Sequence, residues 1–200
     1  LVNMEKSNKG RSIMKNIFLA VMVIMCIVFI AAITYSQSEP QKVVASDSKE
    51  VEKIRAYHMK GDIESTIREA AQYLKSDSSN TEVLIRLAEC YLVKYDLASA
   101  EATINKALVI EPKNTWALRV LALIYRTYYE KETKADLKNK YLGSALATIK
   151  NALTIDSADP NINAVAAYIY FLKKDKINAS AAIKMINPLP ENLKELAENI

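Results

Sequence analysis

The sequence predicts an all-α protein: an N-terminal transmembrane helix, then a right-handed α-solenoid of four helix pairs, closed by a C-terminal capping helix. Three observations lead there. Leu84, Leu87, Ala88 and Tyr91 recur 34 residues later as Leu118, Leu121, Ala122 and Tyr125. A period of that length with helical spacing inside it marks a stacked helix–turn–helix array. Only three Gly and five Pro occur in 200 residues, a composition that favours helices over turn-rich β structure. Finally, the stretch IFLAVMVIMCIVFIAAI at 17–33 carries no charge and no strongly polar group.

Residues 1–15 set Lys6, Lys9, Arg11 and Lys15 against Glu5, so they hold +3 of the net charge of +4. The apolar run extends through Thr34 and Tyr35 to about the thickness of a bilayer core at 1.5 Å per helical residue. A transmembrane helix is therefore expected over 16–35, acting as a signal anchor. By the positive-inside rule, the basic segment 1–15 is expected in the cytoplasm and everything after the helix on the periplasmic or extracytoplasmic side. A cleaved signal peptide is the alternative, disfavoured because the run is long and Thr34-Tyr35-Ser36 is a mediocre cleavage site. Residues 36–46 (SQSEPQKVVAS) read as a short polar linker.

The remaining chain carries a net +1, which argues against non-specific nucleic-acid binding. Cys26 lies in the apolar run and Cys90 in a repeat, so no intrachain disulfide is expected.

The repeats occupy 47–190 and divide as 47–80, 81–114, 115–159 and 160–190. In the first, Tyr57 precedes Tyr91 by 34 residues, and Gly61-Asp62 sits at the turn. In the second, Ala88 and Ala100 are small where two helices cross closely, and Pro112 stops the second helix. The third holds an excess of 11 residues, an insertion near 128–140. It contains few helix breakers, so longer helices or a helical hairpin are expected there. In the fourth, Asp159-Pro160 reads as a cap followed by proline in the first helical turn. The tail 191–200 carries Leu193, Leu196, Ala197 and Ile200 at i, i+3, i+4, i+7, as expected of a helix that caps the array.

With its period, its small residues, its aromatic and its proline at matching places, this pattern resembles the tetratricopeptide repeat (TPR) family, here of a membrane-anchored type. The resemblance implies a concave face lined by the first helix of each repeat, taking an extended peptide or a helix. Carried over place by place, it implies groove residues Arg55, His58 and Met59 in the first repeat and Ile85, Glu89 and Leu92 in the second. The third and fourth contribute Trp116, Arg119, Leu123, Arg126, Tyr168 and Phe171. Trp116, Arg119 and Arg126 would form an aromatic, cationic centre suited to an acidic segment; the alternative for Trp116 is simple packing at a repeat junction.

Enzymatic chemistry has little foothold. His58 is the chain's single histidine, no Gly-rich phosphate loop occurs, and no close Cys pair is present. No catalytic residue, cofactor or metal is expected. The expected function is a membrane-anchored adaptor or scaffold with protein or peptide partners, and with the bilayer contacted through the N-terminal helix. The alternatives are a self-assembling structural protein, hence a homo-oligomer, and a soluble exported binding protein.

Overall fold

In the computed structural model, which describes residues 48–200, seven of the nine helices begin at a Ser, Asn or Asp whose side chain caps the first turn; those that follow Lys134 and Pro190 have no side-chain cap. Four pairs follow one another: α1 (Lys49–Met59) with α2 (Ile63–Tyr73), α3 (Thr81–Val93) with α4 (Leu97–Ile110), α5 (Thr115–Lys131) with α6 (Ala135–Ile155), and α7 (Pro160–Leu172) with α8 (Lys176–Lys184). A ninth helix, α9 (Glu191–Asn199), completes the described residues, among which there is no strand. The helices of each pair pack together. The first helices also contact one another in series, α1 with α3, α3 with α5 and α5 with α7. The result is an all-α, solenoid-like array.

The expected fold class is corrected in one respect. It includes a transmembrane helix, and no helix among the described residues is long and apolar enough to cross a membrane. The longest, α6, has 21 residues, but Asp136, Lys138, Lys140 and Lys150 make it amphipathic rather than lipid-compatible. The segment 16–35 that the sequence predicts to span lies outside the described residues, as do the basic segment 1–15 and the linker 36–46.

The caps alternate with the repeat. Asn80 and Asn114 accept hydrogen bonds from the Val83 and Ala117 amides at the starts of α3 and α5. Asp62, Asp96 and Asp175 do the same for α2, α4 and α8, accepting from Ser65, Ser99 and Asn178. Each satisfies a backbone donor left orphaned at a helix start. The hydrogen bonds to Ser65, Ser99 and Asn178 hold these three aspartates below the ordinary carboxylate pKa.

The turn inside three of the pairs is a Schellman motif. Gly61, Tyr95 and Lys174 take the left-handed conformation (φ 72, 59 and 60). The amides of Asp62, Asp96 and Asp175 donate back to the Tyr57, Tyr91 and Tyr170 carbonyls at 2.9–3.0 Å. The tyrosine of each first helix thus recurs at one place in the cap. Left-handed backbone costs a non-glycine residue about 1–2 kcal/mol. Gly61 meets no neighbour within 4 Å where a Cβ would stand, so its role there is backbone freedom. Lys174→Gly is therefore expected to stabilise the protein by about 0.5–1 kcal/mol, the strain relieved less the added freedom of the unfolded chain. The urea midpoint would rise; an unchanged or lower midpoint would refute this account of the turn.

In the third pair the turn is displaced. All four pairs keep three residues between their helices. Relative to the 34-residue period, α5 runs four residues past the regular turn and α6 begins seven residues early. Together these absorb the 11 surplus residues. Tyr128 and Tyr141 stack at 4.8 Å across the lengthened hairpin, a geometry favourable to aromatic pairs. The Lys131 ammonium lies 4.0 Å over the Tyr95 ring, tying the extension to the turn of the preceding repeat.

The core follows the small-residue ladder. Ala88, Ala100, Ala107, Ala122, Ala145, Ala152, Ala167 and Ala179 are all fully buried, where a longer side chain would part the helices. Ile54, at the corresponding place of the first repeat, is also buried, and Val51, Val83 and Leu87 pack with it. At the far end Leu193, Leu196 and Ile200 join Ile169 and Ala182 in the last cluster, which links the end of the chain to the core of the fourth pair.

Candidate functional site

The first helices place a row of partly exposed side chains along one face. Arg55 and His58 project from α1, Glu82, Arg86, Glu89 and Leu92 from α3, Trp116, Arg119, Leu123 and Arg126 from α5, and Tyr168 and Phe171 from α7. Spacings of three, four and seven put each set on a single helix face. None of these residues is fully buried and none is fully exposed.

The row is bonded from repeat to repeat. The Arg55 guanidinium grips Glu82 through Nε and Nη2, both at 2.9 Å. Its Nη1 donates to Glu52. Arg86 donates to Glu82 at 3.0 Å and lies within 3.0 Å of His58 Nδ1. His58 Nε2 stands 3.1 Å from Glu89. A guanidinium nitrogen can only donate, so Nδ1 accepts and Nε2 carries the proton that reaches Glu89. Glu89 also receives Trp116 Nε1 at 2.9 Å and Arg119 Nη2 at 3.2 Å. The Arg86 guanidinium covers the Trp116 ring, 5.0 Å from its centroid. One connected network therefore runs from α1 through α3 to α5.

Two of these pairings occupy the same register. Arg55–Glu82 and Glu89–Trp116 each span 27 residues and are offset by one 34-residue period. The architecture keeps the contact while the chemistry changes, from ion pair to indole–carboxylate.

Charge in this part of the row is balanced internally, with Arg55, Arg86 and Arg119 facing Glu52, Glu82 and Glu89. Burial pushes the Glu89 carboxyl up in pKa, but the His58 and Trp116 hydrogen bonds and the Arg119 charge outweigh it, and the net shift is downward. The Arg55 hydrogen bond holds Glu82 below its ordinary value, helped by Arg86 and opposed by burial. Both carboxyls are therefore ionised at neutral pH. Trp116 and Arg119 both donate to Glu89, so the structure gives Arg119 to that carboxylate rather than leaving it to an incoming one.

Arg126 is set apart from this network. It reaches α7, where its guanidinium lies 4.9 Å from the Tyr168 ring centroid, and its Nε is 3.4 Å from Glu130. Leu92 packs against the cluster of α3–α5, and Leu123, Tyr168 and Phe171 against that of α5–α7. Their apolar bodies form the floor between the charged groups.

Two residues of the wider groove expectation fall elsewhere. Ile85 is fully buried and belongs to the core. Met59 is 78% exposed at the end of α1. Conversely, periodicity alone misses Glu82 and Arg86. Arg86 shares its place with Glu52 and Val120, so no common character marks it across repeats; the signal available is the Glu82–Arg86 i, i+4 pair continued by Glu89. Cys90 is fully buried, and burial pushes its thiol up to about 11, which leaves it unreactive. Among the described residues no group of His, Cys, Asp and Glu could hold a metal ion. A depression of about 530 Å³ opens beside Ser48, Glu69 and Asp77, and no residue of the row lines it.

Comparison with known proteins yields the fold. No family model matches the chain, and no curated protein matches it. Among solved structures, the thermophilic TPR protein TTC0263 of Thermus thermophilus aligns with a TM-score of 0.67 at 18% identity, covering 76% of this chain and 77% of that one. MamA aligns with a TM-score of 0.52 at 17% identity over 66% of this chain and 71% of its own. The MamA RS-1 ArsTM double mutant aligns at 0.55, with 14% identity over 77% and 76%. Taken with the helix pairs, the Schellman turns and the buried alanine ladder, the likeness to TTC0263 shows that residues 48–200 adopt a TPR fold.

Proposed function

We propose that this protein is a non-enzymatic protein-interaction scaffold whose first-helix row receives an extended or helical segment of a partner protein. The observation that carries the reading is the network His58–Glu89–Trp116/Arg119, which ties the first helices of three repeats into one continuous, pre-organised surface. Fixing side chains before binding lowers the ordering cost of association. Aromatic and Arg side chains in such a row are the usual anchors of an interface. The TPR fold supports the same reading, because stacked repeats present extended binding surfaces.

The scaffold is placed outside the cytoplasm in this proposal. Support comes from the sequence alone: the basic residues ahead of the apolar run at 17–33. Protease added to intact cells with a permeabilised outer surface should then cleave the repeats. Their full protection would overturn the placement without touching the scaffold reading.

The function itself is tested by crosslinking and pull-down from intact cells, comparing the full chain with the Trp116→Ala/Arg119→Glu variant. A defined partner protein should be recovered with the first and be depleted at least tenfold with the second. The same partner in equal yield from both would move the interface off this row. Recovery of the chain alone would favour self-assembly.

A further inference from the structure

Along the row, the guanidiniums differ in what they are given. Arg55, Arg86 and Arg119 each bond to a carboxylate within 3.2 Å. Arg126 makes no hydrogen bond among the described residues: its Nε is buried without a hydrogen-bond partner, and its one carboxylate neighbour, Glu130, stands at 3.4 Å. Yet the side chain is held in place. It is only 28% exposed and stacks over Tyr168 from the next repeat. A cation fixed on an aromatic face, its Nε buried beside Glu130 and its Nη donors making no hydrogen bond, is pre-organised for a carboxylate that approaches the Nη end. Leu123, one helical turn from Arg126, and Phe171, one turn from Tyr168, add partly buried apolar surface to the same helix faces.

From this geometry we infer that Arg126, stacked on Tyr168, is the subsite where the row takes the side-chain carboxylate of an Asp or Glu flanked by apolar residues in a bound partner segment. The inference rests on the groove reading and specifies its ligand. A side chain fits better than a chain terminus, because the row continues on both sides, through Arg119 on α5 and Phe171 on α7. The neutralised network at Arg55, Arg86 and Arg119 would add complementarity without selecting charge. Selection by charge then falls to Arg126.

The test uses a random dodecapeptide library selected on the purified full chain, with affinities of the recovered, fluorescein-labelled peptides read by anisotropy. Recovered peptides should share an acidic residue beside an apolar one. Replacing that residue by its amide should weaken binding to the unaltered chain about tenfold, whereas amidating the peptide C-terminus should change little. Arg126→Gln should produce the same tenfold loss, and the peptide amide substitution should then add nothing further. Glu130→Gln, which keeps Arg126, should bind as well as the unaltered chain or up to about threefold tighter. Peptides that lose binding in the Trp116→Ala/Arg119→Glu variant but are indifferent to their own acidic residue and to Arg126→Gln would overturn the subsite and leave the groove standing. Sensitivity to C-terminal amidation in place of the internal acid would also overturn it. Recovery of no peptide, or only of peptides insensitive to every substitution in the row, would overturn subsite and groove together.

Discussion

Ile124→Ala is expected to cost about 2–5 kcal/mol of stability, the range for deleting a large aliphatic side chain from a core that cannot collapse around the loss. Ile124 is fully buried on α5, in the cluster where Ile85 of α3 and Ile104 of α4 meet Val120 of the third repeat. It therefore belongs to the junction between the second and third repeats. For a domain of this size, such a loss lowers Tm by roughly 4–20 °C at about 2–4 °C per kcal/mol. A repeat array is held by nearest-neighbour interfaces, so the urea transition should also broaden as the two halves uncouple. Val109→Ala is the matched control: Val109 is 82% exposed at the end of α4, and its truncation should shift stability by less than about 0.5 kcal/mol. Equal effects from the two substitutions would mean that the junction is not packed as described.

The same junction shows what the sequence makes legible. The alanine ladder, the recurring tyrosines and the helix pairs follow from local periodicity, because a residue's place on a helix decides which neighbour it meets. The groove row is legible less well, and the place shared by Val51, Ile85 and Arg119 shows why. Val51 and Ile85 are buried, while Arg119 keeps its head at the surface to reach Glu89. An Arg can lay its apolar stem along the same packing site and carry its charge out to the edge, so one place need not mean one environment. The links that unify the row are invisible to periodicity. Arg55–Glu82, His58–Glu89 and Glu89–Trp116 join residues about one repeat apart, and their existence depends on how two repeats settle against each other. The third-repeat surplus is legible as helix, since Tyr128 to Lys140 contains few breakers. Its unequal division between α5 and α6 is not, because the Tyr128–Tyr141 stack that accompanies it is a tertiary contact.

Glu89→Ala should destabilise the protein by about 2–3 kcal/mol at pH 7. Breaking a buried ion pair by removing one partner costs about 3–5 kcal/mol, and the lower figure applies because the Glu89 side chain keeps 19% of its surface exposed. The loss is large for one side chain because three donors converge on it. Without the carboxylate, His58 Nε2, Trp116 Nε1 and Arg119 lose their shared acceptor, and partly buried donors left unpaired carry a desolvation penalty. Glu89→Gln should recover little of this, since its amide nitrogen would face donors with a donor. The effect must also depend on pH in one direction. Glu89 has a folded pKa below its ordinary 4.5, so its contribution is fully present above about pH 4.5 and disappears as pH falls through the lowered value. The difference in urea midpoint between the unaltered chain and Glu89→Ala should therefore shrink as pH falls below about 4.5. An undiminished difference well below that pH would show that packing, not the carboxylate, supplied the stability. The substitution also separates two ways in which the row could bind. Trp116 and Arg119 remain present in Glu89→Ala but lose the group that orients them. If pre-organisation matters, peptide affinity should fall several-fold in a variant whose anchors are all intact. If it does not, freeing Arg119 from its carboxylate should raise affinity for acidic segments instead, and the sign of that one change decides between them.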